Sequence, residues 1–298
     1  MRVPGDDWLE GDFRRMTGAS PWAAVRMDLT AATLWGGSDF AGGMGARRAS
    51  ALLLVAAGHL VTLILLLLVC LVAGLPLPAS HTLVLGLLAG FEGALSLALF
   101  YRALASGAMG ATAAVTGVLT AAVPVGFALS TQGLPRATEW AGLAAGAAAI
   151  AMTAWTSEHG TTTRALGMGA LAGVGFGVQL VLLKLAAVGG VVWAMTTARA
   201  GGLVGVGLAL ALSAKAGARL PESGFWRMGT LAGVLDATGN GAYMLAVGMG
   251  RMEVGAMVAS LYPAVTIVLA AGLLKEHLSR RQRVGVGLAL AAIALLSR

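Results

Sequence analysis

Charged side chains and cysteine are scarce in this chain. Its 298 residues include one cysteine, Cys70, and only 11% of them are charged. A single cysteine excludes an intramolecular disulfide and a cysteine-rich metal site. The sequence also lacks the G-x-x-x-x-G-K-[ST], H-E-x-x-H and G-x-S-x-G motifs. ATP-driven transport within the chain and the common hydrolase chemistries are therefore not predicted, and no cofactor or metal is expected.

Apolar residues are abundant instead, at 58% of the chain. They fall into segments bounded by charges, prolines or polar clusters, and most have the length of about 17 to 25 residues that crosses a bilayer. The connections are too short for a soluble catalytic domain, so the chain is predicted to be an all-α integral membrane protein behind a polar N-terminal tail, residues 1–26. The ten predicted transmembrane helices are 27–45, 49–74, 81–103, 109–131, 138–155, 164–187, 191–213, 225–248, 254–274 and 284–297.

An internal repeat organises these segments. The sequence GLLAG at 86–90 is matched by GTLAG at 229–233, and AAIA at 148–151 recurs at 291–294, so both pairs lie 143 residues apart. The chain therefore divides into two five-helix units, residues 27–157 and 163–298. Because five is odd, the second unit enters the membrane from the opposite side. Inverted repeats of this kind build alternating-access transporters with a substrate site between the halves.

Several motifs carry a resemblance to a known family. LYPAVT at 261–266, followed by KEHL at 275–278 and a final helix led by glycine, resembles the end of an EamA repeat of the drug/metabolite transporter superfamily. LWGGSDF at 34–40 resembles the opening helix of that repeat, and YRALA at 101–105 the end of its third helix. The resemblance implies two EamA repeats, a multi-pass secondary transporter and cytoplasmic termini. The family's Gly-Glu after helix 4 is TQGLP here, at 131–135, so only Glu276 can have the role of that glutamate.

Three carboxylates fall within the predicted spans: Asp39, Glu92 and Asp236. A charge at the bilayer centre costs at least about 2.5 kcal/mol on insertion scales, so such residues are functional candidates. Position 235, the repeat counterpart of Glu92, is next to Asp236, which predicts two acids at similar depth beside one central cavity. Burial disfavours an ionised carboxylate. We therefore expect Glu92 or Asp236 to take up a proton during a transport cycle.

Polar neighbours extend the predicted substrate site. Trp35, Ser38 and Asp39 share one helical face, as do Asp236, Asn240 and Tyr243. Tyr262, beside the helix-kinking Pro263, is either a cavity wall or a packing residue. Arg199 either forms an ion pair with one of the acids or clamps a substrate carboxylate. The full set of predicted substrate-binding residues is Trp35, Ser38, Asp39, Glu92, Arg199, Asp236, Asn240, Tyr243 and Tyr262.

The net charge of +7 indicates cytoplasmic loops and anionic lipids rather than nucleic acid. The predicted function is a secondary transporter, an exporter of small polar or amphipathic metabolites that are amino-acid-like or drug-like, coupled to protons or acting as a facilitator. The expected location is a bacterial plasma membrane, as a monomer or homodimer. Two alternatives stay open: an intramembrane enzyme that uses Glu92 and Asp236 as a carboxylate pair, and a transport-inactive receptor or sensor.

Overall fold

The described parts of the chain are helical. The computed structural model describes residues 21–46, 48–105, 109–131, 133–154, 163–213, 224–250, 252–273 and 279–296. Most of the predicted tail, residues 1–20, and Glu276 lie outside these ranges. In chain order the helices are α1 Pro21–Ala46, α2 Ala51–Val72, α3 Ser80–Ala105, α4 Met109–Thr131, α5 Ala137–Ala154, α6 Thr163–Ala186, α7 Val191–Ser213, α8 Phe225–Met249, α9 Met252–Ala259, α10 Tyr262–Leu273 and α11 Arg280–Leu296.

The first helix begins earlier than predicted, at Pro21 instead of Met27. Proline is favoured at the first helical position because the N–H that it lacks would have no intrahelical partner there. The last six residues of the predicted tail are therefore helical. One consequence is that Asp28, near the predicted start of the span, lies inside the second turn and is buried.

The predicted span 254–274 is not a single helix, which corrects the prediction. It divides into α9 and α10 at Ser260 and Leu261, just before Pro263. Proline has no N–H to bond the carbonyl four residues back, and its ring clashes with that carbonyl. The Leu261 N–H bonds the Val258 carbonyl at 3.2 Å, a tightened turn that ends α9. Pro124, in contrast, lies inside the uninterrupted helix α4.

The helix boundaries follow the spacing of the sequence repeat. Helix α4 begins at Met109 and α9 at Met252, while α5 begins at Ala137 and α11 at Arg280, so both pairs keep the 143-residue offset. The packing follows the same relation. Helix α1 packs on α8, and its repeat counterpart α6 packs on α3, the counterpart of α8. In the same way α2 packs on α8 and α7 packs on α3. The counterparts α5 and α11 pack on each other. The two halves therefore exchange equivalent contacts across one interface.

Four of the described helical segments are long and apolar enough to cross a membrane: Ala51–Val72, Ser80–Leu104, Thr163–Gly189 and Val191–Leu212. Their outer faces carry exposed aliphatic side chains such as Leu71 and Leu212. Helices approach closely through small residues, since a Cβ added at Gly58 of α2 would lie 2.8 Å from the Gly233 Cα of α8. Apolar outside and tightly packed inside, the chain has the character of a multi-pass integral membrane protein.

Candidate functional site

A cavity of about 410 Å³, partly open to solvent, lies between the two halves of the chain. Helices α1, α3 and α4 of the first half and α6, α8 and α10 of the second contribute to its wall. Five of its residues belong to the predicted site. The lining residues are Trp35, Asp39, Leu97, Thr120, Phe176, Gln179, Leu180, Asp236, Asn240 and Tyr262.

Trp35 and Tyr262 form an aromatic wall of the cavity. This wall depends on the close approach of α1 and α10. A Cβ added at Gly36 would lie 2.9 Å from the Tyr262 carbonyl oxygen, so only glycine allows this spacing. The Thr266 hydroxyl donates to the Gly36 carbonyl at 3.2 Å and joins the two helices. The rings of Trp35 and Tyr262 consequently meet edge to face, with centroids 6.4 Å apart. Tyr262 is thus both a packing residue and a cavity wall.

Asp39 is a buried carboxylate in the cavity wall, with a side chain 8% exposed. Among the described residues it makes no hydrogen bond and no ion pair, and the charge that acts on it most is the like charge of Asp236. Its neighbour Ser38 points elsewhere, since its hydroxyl donates to the Ala232 carbonyl at 2.9 Å. Ser38 therefore joins α1 to α8 and does not line the cavity.

Asp236 is neutralised by a protein cation. Its Oδ2 lies 2.6 Å from Arg199 Nη1 in a buried ion pair, and the same oxygen accepts a hydrogen bond from Asn240 Nδ2 at 3.2 Å. Arg199 is 2% exposed and does not line the cavity. The ion-pair interpretation of Arg199 is confirmed. A guanidinium clamp on a substrate would first require release of Asp236.

His59 of α2 is a further contact of Arg199. Its Nδ1 lies 3.0 Å from the Val55 carbonyl, which can only accept, so we assign the ring proton to Nδ1. Nε2 is then an acceptor, 3.5 Å from Arg199 Nη1. The guanidinium is thereby held between α2 and α8.

Glu92 does not share the cavity with Asp236. Its Oε1 accepts a 2.6 Å hydrogen bond from the Ser96 hydroxyl, and it faces Gly175 of α6. The reason is helical phase: the repeat counterpart of Glu92 is Leu235, and a shift of one residue turns a side chain by about 100° around the helix. Glu92 is not among the residues that line this cavity, so its predicted pairing with Asp236 there stays a prediction.

Tyr243 also lies outside the cavity wall. It is fully buried, and its ring packs against the far side of Trp35 with centroids 5.8 Å apart. Its hydroxyl has no hydrogen-bond partner. Tyr243 therefore supports the aromatic wall from behind and does not face the cavity.

The sequence reasoning missed several lining residues, of which Thr120 and Gln179 are polar. Thr120 lies four residues before Pro124 and carries the carbonyl that this proline leaves without its helical donor. Gln179 is an uncharged polar residue within the apolar run of α6. Gln179 would have been predicted if uncharged amides within the predicted spans had been treated as functional candidates together with the charged residues.

Comparison with known proteins agrees with this architecture. Residues 163–298 match the model of the EamA-like transporter family. This half of the chain is similar to that family. A solved crystal structure, described only as that of a protein, has a TM-score of 0.70 at 18% identity over 92% of this chain and 96% of the other. Among curated proteins no significant match is found.

These findings confirm the EamA resemblance that the motifs indicated and the general class of a membrane transporter. The structural likeness covers both halves, so the first half has the same overall fold as the corresponding part of the solved structure. The matched family is described as one of transporters.

Proposed function

We propose that this protein is a secondary transporter that moves a small amine-bearing solute through the cavity by alternating access. In this proposal ten helices span the membrane, with α9 and α10 forming one broken span. Residues 27–157 and 163–298 form two inverted halves. The repeated packing across the interface and the position of the cavity between the halves support the proposal.

The proposal of an amine substrate rests on the charges in the cavity wall. Asp236 is paired with Arg199, whereas Asp39 has no cation among the described residues. The wall therefore holds one carboxylate without a partner. An isolated buried charge is unfavourable, so the ligand that fits here supplies a positive charge.

The remaining wall suits an organic cation rather than a bare ion. Trp35, Phe176 and Tyr262 present aromatic rings, which attract cations through their faces. Leu97 and Leu180 add an apolar surface. A protonated amine on an apolar skeleton matches these groups. A free amino acid fits less well, because its carboxylate would need Arg199, which is already paired.

Coupling to protons is proposed through Asp39. A proton and an ammonium group can each neutralise this carboxylate, but not both at once, so binding of one displaces the other. Exchange of an internal amine for an external proton would export the amine. Glu92, predicted from the sequence, remains a second candidate for carrying a proton at its position beside α6.

The location follows from the proposed class. We infer a plasma-membrane protein with both termini on the cytoplasmic side, the arrangement that an even number of spans and the EamA resemblance imply. The cavity is complete within one chain. A monomer therefore suffices for transport, whether or not the protein forms a homodimer.

Binding and transport by the purified protein in liposomes test the proposal. The panel should compare ligands of one carbon skeleton that end in an amine, a neutral amide or a carboxylate. We expect the amine alone to bind and to cross the membrane chemically unchanged. Preference for the carboxylate would overturn the substrate class, and a chemically altered product would favour an enzyme instead.

A further inference from the structure

A second interior carboxylate lies on the cavity-facing side of α1. Asp28 precedes Trp35 by seven residues and Asp39 by eleven, spacings that place all three on one face of the helix. Its side chain is 1% exposed. Asp28 lies three turns from Asp39 toward the start of α1 and does not line the cavity.

Three helices enclose Asp28. A Cβ added at Gly255 of α9 would lie 3.0 Å from its Oδ1 and 3.3 Å from its Oδ2, so the α9 backbone closes over the carboxylate. From α8, Tyr243 lies within electrostatic range. The other ionisable groups on these elements near this level are Glu253 of α9, which is buried and has contacts of its own, and the exposed Arg26 of α1.

Two buried oxygens in this enclosure lack partners. Asp28 Oδ1 accepts no hydrogen bond, and the Tyr243 hydroxyl makes none. Within the described parts of the chain, the ion pairs are Arg136 with Glu139 and Arg199 with Asp236, so no protein cation balances Asp28. A carboxylate in this position is stable when a cation from solution shares its charge.

We propose that Asp28 and Tyr243 form a site for a small monovalent cation, a proton or an alkali-metal ion, distinct from the substrate cavity. A proton removes the charge of the Asp28 carboxylate. A metal ion would be bound by this carboxylate, with the Tyr243 hydroxyl as a further oxygen ligand.

The site communicates with the cavity through aromatic packing. The Tyr243 ring contacts Trp35 on one side, and Trp35 lines the cavity on the other. Occupancy at Asp28 thus affects the wall that the substrate meets, if the cavity binds substrate as proposed. The cation site itself does not depend on that function.

Thermal unfolding of the purified full chain tests the site without any transport assay. Wild type and Asp28→Asn should be compared over a pH series in choline chloride. They should then be compared at fixed alkaline pH with sodium or potassium chloride replacing choline at equal ionic strength. A bound ligand raises the melting temperature in proportion to its occupancy. Thr33→Val serves as the control that removes an exposed polar group from the same helix.

We expect the wild-type melting temperature to rise on acidification if the ligand is a proton, or with one metal ion if it is not. Asp28→Asn should lose that part of the response, and Thr33→Val should keep it. If Asp28→Asn does not fold, Tyr243→Phe replaces it and should raise the half-maximal ligand concentration several-fold. Responses of Asp28→Asn, or of Tyr243→Phe in its place, equal to those of wild type would overturn the proposal.

Discussion

Arg199 Nη1 lies 2.6 Å from Asp236 Oδ2, and this ion pair links α7 to α8 directly beside the cavity. Because Asp236 and Arg199 neutralise each other, neither charge is available to a ligand. The chemistry of the cavity therefore depends on Asp39. The predictions below follow from this division of roles between two aspartates that the sequence alone treats as equivalent.

Removing one partner of the Arg199–Asp236 pair should destabilise the protein more than removing both partners. Arg199→Gln or Asp236→Asn alone leaves a buried charge without its partner, which costs about 3 to 5 kcal/mol. The double variant should lose clearly less free energy of unfolding than the sum of the losses in the two single variants. The free energy of unfolding in mixed micelles, measured as a double-mutant cycle, checks this. Simple additivity would show that the pair is not coupled.

Asp39→Asn should weaken amine binding by about 10- to 100-fold, the effect of losing one charge-assisted contact. Asp39→Glu keeps the charge and should retain part of the affinity. Glu92→Gln also removes one carboxylate, a half-buried one outside the cavity wall, and should change affinity by no more than about twofold. Equilibrium binding of the amine to each purified variant provides the measurement. Equal losses in Asp39→Asn and Glu92→Gln would contradict the placement of the site.

Gly58→Ala should lower the free energy of unfolding by about 1 to 3 kcal/mol, since the new methyl group would press on the backbone of α8. Gly207 in α7 is the matched control: it is also inside a helix, and a Cβ there meets nothing within 4 Å. Gly207→Ala should be neutral or slightly stabilising because alanine favours helix. Similar losses in both variants would indicate that the close contact of α2 with α8 is unimportant.

Water access to the cavity can be tested by cysteine labelling. Cys70 is the only cysteine and is buried beside the Thr196 hydroxyl, so Cys70→Ala provides a cysteine-free background. In that background Thr120→Cys should react with a small water-soluble thiol reagent, and bound amine should slow the reaction. Ala121→Cys, the next residue, lies in an apolar cluster and should react much more slowly. Equal rates would exclude a water-accessible cavity at Thr120.

Much of the fold was predictable because each membrane helix satisfies its own backbone. Apolar length and flanking polar groups predicted the bounds of α4 and α7 to the residue. The division of the ninth span was not predicted. Pro263 indicated a kink, but whether a proline bends a helix or ends it depends on the neighbours that replace the lost hydrogen bond. Pro124 and Pro263 show both outcomes in one chain.

Several residues of the candidate site were predictable from the sequence, but which of them lie together was not. Asp39, Asp236 and Asn240 line the cavity as their intramembrane polarity indicated. Glu92 does not, although it lies at nearly the same repeat position as Asp236. Depth along a helix can be read from spacing along the chain. The direction in which a side chain points cannot be read to better than one residue, and one residue rotates it by about 100°.

The sequence by itself determined that this protein is a membrane-embedded helical repeat protein, because apolar runs of this length are stable only as helices in lipid. It also indicated that Asp39 and Arg199 are interior charges. Only the tertiary structure decided which of them are neutralised. Arg199 lies on α7 and could have reached any acid at its level. The rotation and close packing of α2, α7 and α8 bring it to Asp236 and His59. Asp39 and Asp28 are left without a cation from the part of the chain that the structure describes.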